Sequence, residues 1–346
     1  MKKSTQFYTL ITALSLNISV LYAQNDVVIK MPKVPEVPKV EAVVPKVIVT
    51  GDTNSKSNAE ILEEFTKEKV VIFSDHVAPE MIEEKDDINK VIEVGDVHDG
   101  RVTAYLHGEY MDPKSVEDIL IKAGFEVLAS YKQDKKGLVT SVVFTNKEIT
   151  EMASKKNRGF ASTLRVTVDK HDKLISISNP NYVMGAFMQD QYDEKLANKT
   201  LKTLRDNFTG LKDSTEELKF RVLERFQFME GMPRYNDMVV IKKASNDALY
   251  ANAKKSKKIL YEQKLSNGSI MIGVKLGKRT NKFIKKTGYQ NAGLLPYPVL
   301  IEDGEAKTLD PKYYIAIMYP MLKMSQFMTI STVPGAINKD IDKIFR

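Results

Sequence analysis

The feature that most limits what this chain can fold into is an ungapped self-similarity at an offset of 131 residues. The stretch Ala161–Asp169 leads to Asn179-Pro180-Asn181-Tyr182, and Ala292–Leu300 leads to Asp310-Pro311-Lys312-Tyr313. Leu164 pairs with Leu295, Val168 with Val299, Asn179 with Asp310, Pro180 with Pro311 and Tyr182 with Tyr313. Upstream, Ser141-Val142-Val143-Phe144 stands against Ile272-Gly273-Val274-Lys275, each a strand-like run ahead of a Lys-rich stretch. A fixed offset of this kind signals one structural unit used twice.

Hydrophobic period reads the same order of elements in both copies. The first copy has a strand at Val102–Leu106 and a helix opened by Asp112-Pro113, an N-cap followed by proline, and closed by Gly124. Strands at Phe125–Tyr131 and Leu138–Phe144 follow, then a short helix at Lys147–Lys155, strands at Thr163–Val168 and Leu174–Ser178, and a helix from Pro180. The second copy offers a strand at Met238–Ile241, a helix at Asp247–Ala253, and strands at Ile259–Lys264 and Ser269–Val274. A helix at Asn281–Lys286, strands at Leu294–Glu302 and Glu305–Leu309, and a helix from Pro311 complete it. The joint reads as helical, at Asp193–Phe208 and Ser214–Phe228, before Gly231-Met232-Pro233 redirects the chain. The fold class expected is α+β: two tandem units with antiparallel sheets, helices on one face of each, joined by helices.

The run Leu294-Leu295-Pro296-Tyr297-Pro298-Val299-Leu300-Ile301-Glu302-Asp303-Gly304, then Asp310-Pro311-Lys312-Tyr313-Tyr314, resembles the core signature of the domain of unknown function 302 family. The first copy carries it more weakly, in Leu164–Val168 and Asn179-Pro180, and Phe144-Thr145-Asn146 is similar to that family's strand-to-helix turn. The resemblance spans roughly residues 101–340. It implies a β-α-β(4)-α unit with a curved sheet, as in TATA-binding-protein-like folds, and it transfers no catalytic residue.

Ahead of the repeat the chain changes character. Lys2 and Lys3, an uncharged apolar stretch from Phe7 to Leu21 and a small residue at Ala23 make a cleavable secretory signal over residues 1–23. A periplasmic or otherwise extracytoplasmic location is therefore expected. Residues 24–58 include Val34-Pro35, Val37-Pro38 and Val44-Pro45, a Pro-rich linker that favours extended polyproline II. Residues 59–99 hold 13 acidic residues against 4 lysines, a net of −9, and read as a partly ordered arm. The first unit is assigned to 100–208, the connector to 209–236 and the second unit to 237–346.

Composition removes whole classes of chemistry. With no cysteine there is no disulfide, thiolate nucleophile, iron–sulfur cluster or Cys-based zinc site. No Gly-rich phosphate loop, nucleophile elbow or His-Glu-x-x-His helix is present. Met318, Met321, Met324 and Met328 fall on one face of a helix, which reads as core filling before it reads as a Cu(I) site. Asp96, His98, Asp99, His107 and Glu109 fit no standard metal spacing, and His171 sits in a turn. No metal site and no cofactor are expected.

The charge asymmetry is the stronger functional signal. From Ile241 to Gln290 there are 13 basic against 2 acidic residues, a net of +11, in a chain of pI about 9.1. Lys254, Lys255, Lys257 and Lys258 are the candidate contacts for an anionic partner, either an envelope surface, a protein, or the chain's own acidic arm docking back. Export argues against nucleic acid. Tyr182, Tyr297 and Tyr313 are the candidate ligand-binding residues of a pocket between sheet and helices. The function expected is thus a non-enzymatic binding or interaction module, with an enzyme or small-ligand carrier, and then a Met/His metal-handling protein, as the alternatives.

Overall fold

The computed structural model describes residues 92–346; the expected signal sequence and linker, and the acidic segment as far as residue 91, lie outside the described residues. Short strand β1 (Arg101–Thr103) leads into β2 (Tyr105–Glu109). Helix α1 (Pro113–Lys122) begins where the Asp112 side chain accepts the N–H groups of Lys114 and Ser115. It buries Val116 and Leu120 against β3 (Glu126–Lys132) and β4 (Val139–Thr145), and the chain turns at Gly124, whose φ of 87° suits only glycine. Asn146 caps α2 (Lys147–Met152) through the Ile149 N–H. Strands β5 (Leu164–Asp169) and β6 (Leu174–Ser178) then lead into α3 (Pro180–Met188), in which every residue is buried, and amphipathic α4 (Glu194–Asn207).

The second half runs through β9 (Val239–Lys243), α5 (Asn246–Lys255), β10 (Ile259–Lys264), β11 (Ile270–Val274), a 3-10 turn at Thr280–Phe283 and one-turn α6 (Ile284–Thr287). It continues with β12 (Tyr297–Glu302), β13 (Glu305–Thr308), α7 (Pro311–Met318), α8 (Met324–Met328) and α9 (Val333–Asp342). The sheets are antiparallel, ordered β3-β4-β5-β6-β2 and β10-β11-β12-β13-β9. In both, the last strand of the half lies between the fourth and the first. Strand β7 (Lys212–Asp213) extends the first sheet beyond β2.

Helices were expected on one face of each sheet, yet β4, β5 and β12 are buried along their whole length and so on both faces. The second face of each sheet is closed by a segment from the other half. The 3-10 turn Gly159–Ala161 packs on β11 and β12, and Tyr289–Leu294 packs on β4, β5 and β6. Glycine permits both approaches. A Cβ on Gly159 would lie 2.7 Å from Leu300 Cδ1, and one on Gly293 would lie 2.7 Å from Tyr105 Cε1. A buried Lys307–Glu302 pair at 2.8 Å, with Asn157 bonded to both side chains, fastens the second half's hairpin to the first half.

Two expected helices are corrected. Ser214–Phe228 is not an α-helix: it follows directly on β7, forms β8 (Glu217–Lys219), then takes a 3-10 turn at Phe220–Val222. Strand β8 pairs with β1, and Ala104 N–H donates to Glu216 O while Ser214 N–H donates to Tyr105 O. These long-range main-chain bonds outweigh a local apolar period. The methionine face is broken as well. Pro320 has no N–H and disfavours helix at Tyr319, so α7 stops at Met318 and α8 starts afresh at Met324. Met318 is buried, whereas Met321, Met324 and Met328 are exposed.

The repeated caps differ in what they carry. Asn179 Oδ1 accepts the Asn181 N–H and its Nδ2 donates to Gly95 O and Thr103 O in a fully buried setting. Asp310, half-buried, accepts the Lys312 N–H. Urea unfolding should therefore show Asn179→Ala losing about 3 kcal/mol, a cap plus two orphaned carbonyls, against about 1 kcal/mol for Asp310→Ala. Equal losses would contradict this account.

Candidate functional site

The most enclosed of the concave sites described here forms where the β3–β4 turn of the first half meets the β11–α6 segment of the second. In that turn Asp134 accepts the N–H groups of Lys136, Leu138 and Val139, and Gly137 takes a φ of 65°. The tight turn turns Lys135 and Lys136 outward. Opposite, Asp340 of α9 accepts the Gly277 N–H and the Thr280 hydroxyl, which holds the chain after β11 in place. Asn281 Nδ2 bridges the halves by donating to Gln133 O at 2.7 Å, and Gln133 Nε2 donates to Ala292 O.

Between them lies a cavity of about 310 Å³. Tyr131, Leu138, Leu276, Ile284 and Tyr289 supply an apolar lining, and Lys135, Lys136, Lys275, Lys278, Lys282 and Lys285 the charge. All six lysines are exposed, and none forms an ion pair among the described residues. Among the described residues the one acid in the lining is Asp134, which is committed to the hairpin turn. Lysine presents a compact, hydrated charge on a flexible stem and holds anions through the field, without the planar fork of arginine. The arrangement can gather anionic groups over an apolar floor.

Two shallower grooves follow the seam between edge strands β3 and β10. The larger, about 510 Å³, includes Lys254 and Lys257 beside Glu126 and Tyr261. Lys254 sits 5.0 Å above the Tyr250 ring and pairs with Glu262 at 3.7 Å, and its hydrogen bond to Tyr250 and the Glu262 charge hold its pKa up. Lys255 is exposed at the end of α5, and Lys258 is half-buried before β10. The expected cluster thus divides. Lys254 and Lys257 face the seam, while the densest free positive charge comes from Lys275–Lys285 and from two lysines of the first half. The Asp134-Lys135-Lys136-Gly137 hairpin was visible in the sequence, but only the tertiary fold places it opposite the second half.

Tyr182, Tyr297 and Tyr313 are core residues, with 0%, 0% and 1% exposure. Tyr182 donates to Ile317 O at 2.6 Å and Tyr297 to Leu309 O at 3.3 Å; Tyr313 packs edge-on against Phe226 and Tyr235. None of the three lines the concavities above. Asp96 pairs with Arg205, His98 lies 3.4 Å from Asp99, and His171 Nδ1 lies 2.5 Å from Asp172. Among the described residues no group of three or more His, Asp or Glu side chains is arranged to hold a metal.

Three carboxyls are pushed up from their ordinary pKa by burial: Asp169, Asp213 and Glu216. Each also accepts main-chain N–H: Asp169 from His171 and Asp172, Asp213 from Gly95, and Glu216 from Met321. Comparison with protein-family models, with curated proteins and with solved structures finds no match to this chain. What the site can do is therefore argued from its own side chains.

Glu216 offers a direct check on this electrostatic picture. A carboxyl with a raised folded pKa binds more protons folded than unfolded, so its contribution is full below its ordinary value of 4.5 and is lost as pH climbs through the raised one. Glu216→Gln keeps an oxygen for the Met321 N–H and removes the titration. Urea midpoints should fall less between pH 5 and pH 8 in the variant than in the parent. Parallel pH profiles would contradict the assignment.

Proposed function

We propose that this chain is an exported binding protein that meets an anionic envelope surface, and that the lysine-rimmed cleft at the seam of the two halves makes the contact. The observation that carries this reading is the six exposed lysines, without an ion pair among the described residues, around an apolar-floored cavity between Gln133 and Tyr289. Such a rim attracts phosphate-bearing head groups, each nearby lysine contributing about 1 kcal/mol toward an anionic surface. Export rests on the signal-like residues 1–23 and the Pro-rich linker after them.

The scaffold is one α+β unit duplicated in tandem, of the kind that the resemblance to the domain of unknown function 302 family implies. Support comes from the shared strand order of the two sheets and from the caps at Asn179 and Asp310. Arg165 Nη2 also lies 3.4 Å from Pro296 O, a contact between two positions related by the 131-residue offset. Contacts between equivalent positions occur beside a two-fold axis. The acidic arm is a competitor for the same lysines. Its described end is held elsewhere, with Glu93 and Asp96 on Arg205 of α4.

Sedimentation of the full chain with phosphatidylglycerol vesicles, against pure phosphatidylcholine, tests the reading. Lys278→Ala/Lys282→Ala/Lys285→Ala should weaken binding on the order of 100-fold, and Lys254→Ala/Lys257→Ala by less. Equal binding to neutral vesicles, or a triple variant that binds like the parent, would overturn it.

A further inference from the structure

The inner face of the first sheet is polar, and it is buried. Register places Ser141, Thr167, Ser176 and His107 in one row across β4, β5, β6 and β2, directly opposite one another in turn. The next row carries Arg165, opposite Val143, and Ser178, opposite Tyr105. Beyond the first row, Asp169 ends β5 on the same face. The second half's segment Tyr289–Leu294, continuing to Pro296, covers these rows. Ser141 Oγ donates to Leu295 O at 2.8 Å, and Gly293 fits against Tyr105 and Ser178.

The layer is poorly satisfied. His107 Nε2, Arg165 Nε, Thr167 Oγ1, Asp169 Oδ2, Ser176 Oγ and Ser178 Oγ are buried with no hydrogen-bond partner among the described residues, and so is Asn291 Oδ1 on the covering segment. Arg165 is 2% exposed and forms no ion pair among the described residues. Its contacts are long: 3.4 Å to Thr163 O, 3.5 Å to Tyr261 Oη and 3.4 Å to Pro296 O. Asp169, four residues further along the same strand, is roughly 13 Å away at the strand rise. Each unmet buried polar atom costs about 1–3 kcal/mol, and an uncompensated buried charge costs more. In the second half, the turn at Gly159 meets Leu265, Met271 and Leu300, and the buried charges of the covered face, Glu302 and Lys307, are paired with each other at 2.8 Å and bonded to Asn157.

We propose that this layer is a binding site for a small hydroxylated organic anion, in class a sugar acid or sugar phosphate. Arg165 takes the acidic group, Thr167, Ser176 and Ser178 exchange hydrogen bonds with the ligand's hydroxyls, and Asp169 and Asn291 accept from the remainder. The segment Tyr289–Pro296 is the cover beneath which the ligand lies. Ordered water would meet the hydroxyls but leaves the guanidinium charge uncompensated, which is why the ligand is an anion. The lysine-rimmed cleft stands at the Tyr289 end of the cover, where its field raises the local anion concentration.

Thermal unfolding of the full chain with glucuronate, glucose 6-phosphate, inorganic phosphate and glucose tests this, beside native mass spectrometry of protein purified from its host. Glucuronate or glucose 6-phosphate should raise Tm with concentration, and inorganic phosphate and glucose should need at least about tenfold more for the same shift. Whichever of the first two acts separates a carboxylate from a phosphate ligand. Arg165→Met should fold with unchanged or higher Tm and lose the response. Ser176→Ala/Ser178→Ala, which leaves the charge alone, should lose the preference over inorganic phosphate. An unliganded native mass with no Tm shift from any probe overturns the proposal, as does an Arg165→Met or double serine variant that responds like the parent. Vesicle binding by the lysine cleft is read separately and stands or falls on its own variants.

Discussion

The constraint on which the structure depends is that neither sheet is closed by its own half alone. Each has a second face covered by a short segment of the other: Gly159–Ala161 on β11 and β12, Tyr289–Leu294 on β4 to β6. The exchange makes the halves one packed body and leaves both covers free of a Cβ where they press hardest. It also serves the helix ends. Pro320 stops α7, and phenols of the first half, Tyr182 and Tyr105, donate to the buried terminal carbonyls Ile317 O and Met318 O at 2.6 Å each.

This reciprocity makes the unequal chemistry of the two covered faces informative. The Gly159 turn closes on Leu265, Met271 and Leu300, beside a buried Lys307–Glu302 pair that Asn157 ties in. The Tyr289 segment closes on serine, threonine, arginine, histidine and aspartate. One covered face has its buried charges paired, and the other holds Arg165 without an ion pair among the described residues, a difference that a ligand would explain. The same is true of charge, since the lysines gather at one end of the seam and the pairing acids lie elsewhere.

Much of the architecture was legible. Asp112, Asn179 and Asp310 each cap the helix that the following proline announces, because a cap is a bond within two or three residues. Strands such as Leu174–Ser178 and Ile259–Lys264 were bounded correctly from their flanking turns. The site was less legible. Lys254 to Lys258 are conspicuous because they adjoin in sequence, whereas Lys135 and Lys278 meet only across the fold. Tyr182, Tyr297 and Tyr313 drew notice through repetition, and their repetition belongs to the core.

The sequence by itself determined most of the local elements, the α+β class and the charge asymmetry, since these rest on spacing, capping and composition. Only the tertiary structure decided that Glu217–Lys219 pairs with Arg101–Thr103 as a strand, because the partner is more than a hundred residues away. It alone decided that the alternating polar residues of β5 and β6 face inward. A period of two says that one face differs from the other; which face meets solvent depends on what packs against it. Here the 131-residue offset leads one to expect two similar units, and the packing of one half's segment onto the other's sheet decides what each half buries.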